Sequence, residues 1–267
     1  MNTDLFAQLP NWVNFIAFPV LSWIALAVVR FLLHKYRKVL RIEDVDYDVV
    51  DSATQNIMSG AYVVMGFVLV LVMATASDVD GNVAKEASQI VSLDGMLGMD
   101  ASSAARSAQG ALREYASSVV NDEWKCLRQG TGSEVTGASQ AKLLKALASL
   151  EPASRRQVAL YSEIIRKGDE IAQARDVRIE NSQSRLPALF WQVSFLSLFG
   201  VIVNGALRLM EPTSVRIIAI GTQIGMISLL FTAVMILDLP HLGATKTSPE
   251  PIVKAIKIMT QRAAISK

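Results

Sequence analysis

The sequence predicts an all-α protein with four transmembrane helices and a helical extramembrane domain inserted between spans two and three. Three observations carry this prediction. Of 267 residues, 51% are hydrophobic, and the mean hydropathy is +0.34, which is more apolar than most water-soluble folds. Four runs, residues 12–33, 59–76, 187–207 and 217–237, are nearly free of charge, and about 20 apolar residues in a helix cross the ~30 Å hydrocarbon core of a bilayer. Between the second and third runs the chain turns polar, with apolar residues recurring at helical spacing. The expected organisation is a first transmembrane hairpin (1–76), a helical extramembrane domain (77–186), a second hairpin (187–239) and a C-terminal tail (240–267).

Span one contains Pro19, which removes one backbone donor and bends a helix, as membrane helices tolerate. No Lys or Arg precedes it and the apolar run exceeds the usual signal-peptide core, so it is expected to remain in the protein as a span. Lys35, Arg37, Lys38 and Arg41 follow it, and this balance favours an N-terminus outside, with the inserted domain on the same side. The next loop is acidic. Asp44, Asp46 and Asp48 imitate the start of an EF-hand, but Val49 and Gln55 stand where that loop needs Gly and Glu.

Span two carries Gly60, Ala61, Tyr62, Gly66 and Phe67 and no charge. Small residues allow close helix packing, and in an oligomer the same face can line a pore, with Tyr62, Gly66 and Phe67 as the lining candidates. Ser77, Asp78, Asp80, Gly81 and Asn82 predict a turn that caps the next helix. Further helices are expected at about 101–129, 139–150 and 153–184, with a flexible Gly/Ser/Thr loop at 130–137. In span three, Gln192, Gly200 and Asn204 share a side suited to interhelical hydrogen bonds. Span four holds the small-xxx-small pair Gly221 and Gly225 as a helix-packing motif. The tail mixes Lys254, Lys257 and Arg262 with apolar residues and reads as a short interfacial helix.

The inserted domain places charges on apolar faces. At 100° per residue, Leu112, Tyr115, Ala116, Val119, Val120, Glu123, Cys126 and Leu127 fall within an arc of about 140°, with Glu123 near its centre. Glu86 lies on or beside a Val/Ala/Ile/Leu stripe, and Arg178 continues the face of Leu160, Ile164, Ile171 and Ala174. A charge facing a bundle interior requires a partner. Glu86, Glu123 and Arg178 are therefore expected to form an interior charge network, pairing Glu123 with Arg178, or Glu86 with Arg175 or Arg178.

Composition bounds the function. Twenty-six basic and 24 acidic residues are interspersed, which argues against a nucleic-acid partner. One cysteine, Cys126, cannot close an intrachain disulfide, and His34 and His241 lie in no zinc spacing. No phosphate loop, nucleophile elbow or metal set is present, so neither catalytic residues, a metal nor a cofactor is expected.

A set of short motifs runs in order along the chain: Glu86-Ala87, then Tyr115 with Val119-Val120 and Glu123-Trp124, then Arg178 followed by Arg185-Leu186-Pro187 and Trp191. It continues in Leu237-Asp238-Leu239-Pro240, with Gly243 before Pro249. In these motifs and their order the chain resembles the bestrophin-like membrane domain family found widely in bacteria. Kinship with bestrophins, pentameric anion channels with four spans per subunit, implies an oligomeric pore. The chain departs from animal bestrophins in lacking an acidic cluster after span four and a closely spaced aromatic neck in span two, which leaves ion selectivity open. The resulting expectation is an oligomeric ion channel in a bacterial inner membrane, the alternative being a membrane-anchored sensory or interaction module. Its expected partners are membrane lipid, further copies of the chain and inorganic ions.

Overall fold

The computed structural model describes residues 10–39, 47–100, 102–152, 154–210, 212–238 and 247–265. Arg41, the acidic residues Glu43, Asp44 and Asp46, and Leu239, Pro240, His241 and Gly243 lie outside the described residues. Every extended element among the described residues is helical: α1 (Asn11–Tyr36), α2 (Tyr47–Gly98), α3 (Ser103–Ser118), α4 (Glu134–Ala148), α5 (Arg155–Gln183), α6 (Ala188–Arg208), α7 (Ser214–Leu237) and α8 (Glu250–Ile265). Four of the helices are long and apolar enough to cross a membrane. The chain is thus an all-α integral membrane protein. It divides into two compact units, residues 1–75 with 185–245, and residues 76–184 with 246–267.

In the first unit α1 packs against α6 and α7. Asn14, Phe18, Ser22 and Leu26, four residues apart, form its buried stripe. Gly205 lets three helices meet, since a Cβ there would lie 3.0 Å from Ile220 and 3.5 Å from Leu26. Gly221 seats the Trp23 ring, which would be 2.2 Å from an added Cβ, whereas Gly225 has no neighbour within 4 Å of that position. Phe18, Trp191, Phe195 and Phe231 interlock, with ring centroids 5.0 to 6.0 Å apart. The membrane part of α2 contributes Met58, Ala61, Met65, Val68 and Val72 to this core. Arg208 at the end of α6 forms an ion pair with Asp51 near the start of α2.

Several polar side chains in this unit bond within their own helix. The hydroxyls of Thr54, Thr222 and Thr232 each donate to the carbonyl four residues back, at 2.6 to 2.9 Å. Asn204 was expected to reach across helices, but its amide donates to Gly200 O of its own helix at 2.9 Å, and Gln192 is exposed. Ser228 of α7 bonds across to Ser22 of α1, at 2.8 Å.

In the second unit the 76–98 part of α2, α3, α4, α5 and α8 surround one core that includes Ile90, Leu93, Leu97, Leu112, Leu143, Leu147, Ile164 and Ile171. The turn expected at residues 77–82 does not form. Asp78, Asp80 and Gly81 are exposed on an unbroken helix because Val79 and Val83 continue its buried stripe. The long second helix of the insert is also interrupted: α3 is followed by a π-helical turn (Val119–Glu123), one short α turn and a 3₁₀ turn (Leu127–Gln129), stopped by Gly130 at φ +70°. Helix α4 begins inside the segment expected to be a loop, because Ser133 caps it by accepting from Thr136 N–H. Helix α8 belongs to this unit's core, burying Ile252, Ala255 and Met259; with three apolar anchors on one face, it packs on protein instead of an interface.

Candidate functional site: a buried charge network

The network is assembled from four parts of the second unit. Helix α2 supplies Glu86, α3 supplies Tyr115, the π-helical turn supplies Glu123, and α5 supplies Arg175 and Arg178. Glu86, Tyr115, Glu123 and Arg178 are each at most 2% exposed.

Glu123 lies at the end of the π turn, whose wider winding rearranges the local carbonyls. The Ser118 carbonyl there accepts from the Thr136 hydroxyl at 3.2 Å, so it is not left bare. Glu123 accepts two bonds from Arg175, Nε to Oε1 and Nη2 to Oε2, both 3.0 Å, the paired geometry a guanidinium fork favours. Ser133 N–H adds a third bond at 3.2 Å. Arg175 also donates to Gln140 Oε1 at 3.2 Å and Ser133 O at 3.0 Å. Gly132 makes room for it, since a Cβ there would lie 3.3 Å from Arg175 Nη2 and 2.8 Å from Ile179.

Arg178 pairs with Glu86 through Nη1, and its Nη2 lies 3.6 Å from Glu123 Oε1. Tyr115 completes the set by donating its hydroxyl to Glu86 Oε1 at 2.9 Å. Burial, reinforced by the Glu86 charge, pushes the Tyr115 phenol far up, so it acts only as a neutral donor. Burial opposes charge on Arg178, but Glu86 and Tyr115 outweigh it and raise its pKa, so it remains a guanidinium. Two carboxyl side chains face two guanidiniums, so the formal charges match one for one. Arg178 stands between both carboxylates, with Nε and Nη2 lacking a hydrogen bond of ordinary length.

The structure therefore gathers the expected residues Glu86, Glu123 and Arg178 into one network. It also draws in Arg175, which is the main partner of Glu123. The clue to Arg175 was its position one helical turn before Arg178, on a neighbouring face of α5. Ser133 and Gln140 carried no comparable signal.

The pore-lining candidates divide. Tyr62 is half-buried and donates its hydroxyl to Gln223 O of α7 at 3.1 Å. Phe67 is 74% exposed on the other side of α2, and Gly66 lies between them, half-buried with no atom within 4 Å of its Cβ position. A separate polar joint closes the first unit: Asp238, after α7, accepts from Leu186 N–H at 2.6 Å and from the Trp191 side chain. The sequence marked these three residues through the family resemblance alone.

Four membrane-length helices and a helical unit organised around an interior charge network define a class of integral membrane protein. The chain belongs to the Bestrophin-like domain family, whose profile matches residues 17–252. No match was found among curated proteins or among solved structures.

Proposed function

We propose that this chain assembles into an oligomeric, bestrophin-related ion channel of a bacterial cytoplasmic membrane. In this reading the membrane part of α2 faces the conduction path, the second unit forms a vestibule, and the N-terminus lies outside.

The observation that supports it most is the division of α2 into two faces. One face packs into its own chain through Met58, Ala61, Met65, Val68 and Val72. The opposite face presents Gly60, Val63, Phe67, Val70 and Ala74, all exposed and none charged. Around an axis of several copies that face makes an apolar constriction with Phe67 as its bulkiest element, which gates by wetting and dewetting. The charge network in the second unit has the role of fixing helix register, with Arg178 placed to shift between Glu86 and Glu123. Catalysis has no part in the proposal.

The test is reconstitution. Purified protein is expected to give single-channel currents in a planar bilayer and a closed ring of subunits in mild detergent. Flux at the empty-liposome level for both anions and cations overturns the proposal. The competing reading, a membrane-anchored interaction or sensory module, draws on the second unit's self-contained core; monomers or dimers without flux favour it.

A further inference from the structure

At the C-terminal end of α1, Ala27, Arg30, Phe31 and His34 occupy positions i, i+3, i+4 and i+7, and so lie along one helical face. With Met210, after α6, they line a groove of about 320 Å³, within the size range at which small-ligand sites begin. The floor is apolar, Ala27, Phe31 and Met210, and the two polar walls are basic. Depth along the span is set by composition: residues 12–29 carry no charge, so Arg30 is the first charged side chain met along this helix. That is the level at which hydrocarbon gives way to headgroups. Arg208, two residues before Met210, is engaged by Asp51 and does not compete for the groove's occupant.

We propose that this groove binds an anionic phospholipid, with Arg30 and His34 donating to its phosphate and the first acyl carbons lying on Phe31 and Met210. Charge and polarity both select this occupant. A guanidinium matches phosphate oxygens in a fork, and an imidazole adds a second donor. Lys35, Arg37 and Lys38, further along, are exposed and do not line this groove. They supply only the diffuse attraction any basic segment has for an anionic leaflet.

The experiment follows thermal unfolding of the detergent-purified full chain during titration with phosphatidylglycerol, with phosphatidylcholine of the same acyl chains, and with water-soluble glycerol phosphate. Phosphatidylglycerol is expected to raise the unfolding midpoint, and the other two are not. The double variant Arg30→Gln with His34→Gln should raise the half-saturating phosphatidylglycerol concentration by about thirtyfold, from ~1 kcal/mol for each of the two basic contacts. Lys35→Gln with Lys38→Gln, removing two charges beyond the groove, should raise it several-fold less, since only diffuse attraction is lost. Equal losses in the two doubles, or equal stabilisation by phosphatidylcholine or glycerol phosphate, overturn the proposal. Where the first double is unstable, Arg30→Lys keeps the charge but loses the fork. It should still weaken the phosphatidylglycerol effect, and an unchanged titration counts against the site.

Discussion

The two units solve the same problem, placing polar groups inside a helical bundle, in opposite ways. In the membrane unit several polar side chains fold back onto their own helices, as those of Thr54, Asn204 and Thr232 do. Shape sets its helix pairing, with Gly221 against Trp23 and Gly205 at a three-helix junction. In the second unit the buried Glu86, Glu123 and Arg178 and the half-buried Arg175 are joined across helices. Lipid gives helices no hydrophobic reason to associate, so close approach and packing must do it. In the second unit hydrophobic burial drives collapse of the core, and a charge network can select one register among compact alternatives. The contrast teaches that substitutions of charge should be felt in one unit and substitutions of volume in the other.

The largest effect expected is from Arg178→Met. It leaves Glu86 buried without its cation, which costs about 3–5 kcal/mol. Hydrogen exchange should show lost protection in the second unit. The double variant Glu86→Met with Arg178→Met should recover most of it, because an apolar pair of similar volume replaces an ion pair at little net cost. A single and a double variant equally damaged would break the comparison.

Next comes Gly221→Leu, which drives a side chain into the Trp23 ring and costs about 1–3 kcal/mol through overpacking. Loss of protection should be confined to α1 and α7. Tyr115→Phe should cost about 1–3 kcal/mol, the range for removing one partner of a buried hydrogen bond. It leaves Glu86 Oε1 short of a donor without disturbing packing, and thermal unfolding measures it.

The smallest effect concerns Asp94, buried in the second unit beside Arg113, Arg262 and Gln109. Burial raises its carboxyl despite both arginines. Because the folded pKa exceeds the unfolded one, the fold favours the protonated form. The associated stability is full below the unfolded value and is lost as pH rises through the folded one. The difference in unfolding midpoint between the wild type and Asp94→Asn should therefore shift in favour of the wild type as pH falls from neutral toward the usual carboxylate range. A difference constant with pH would show that Asp94 does not titrate in the fold.

Much of this was legible in the sequence because two periodicities are strong. Charge-free runs of membrane length announce the spans, and Glu86, Glu123 and Arg178 stand out as charges on apolar faces. Pairing was harder, because it depends on where helices cross. Arg175 was an alternative partner for Glu86, but the π turn and Gly132 bring Glu123 to it. The turn expected at residues 77–82 failed because Val79 and Val83 extend the stripe of α2, so tertiary packing overrode a cluster of turn-forming residues. The role of α8 was hidden as well, since an amphipathic helix looks the same whether it meets lipid or protein.

The wide turn at Val119–Glu123 also changes what kind of alteration this protein should tolerate. Five residues wound at π pitch turn the chain about as far as four at α pitch, so loss of the exposed Asn121 would close the turn to ordinary α winding and leave Glu123 and Leu127 near their faces. A residue gained here would instead rotate everything downstream by about 100° relative to α3, with every charged residue still in the chain. Glu123 would then swing away from Arg175, and Leu127 would leave the core. Variation in this segment should therefore proceed by exchange of residues or loss of one, and almost never by gain.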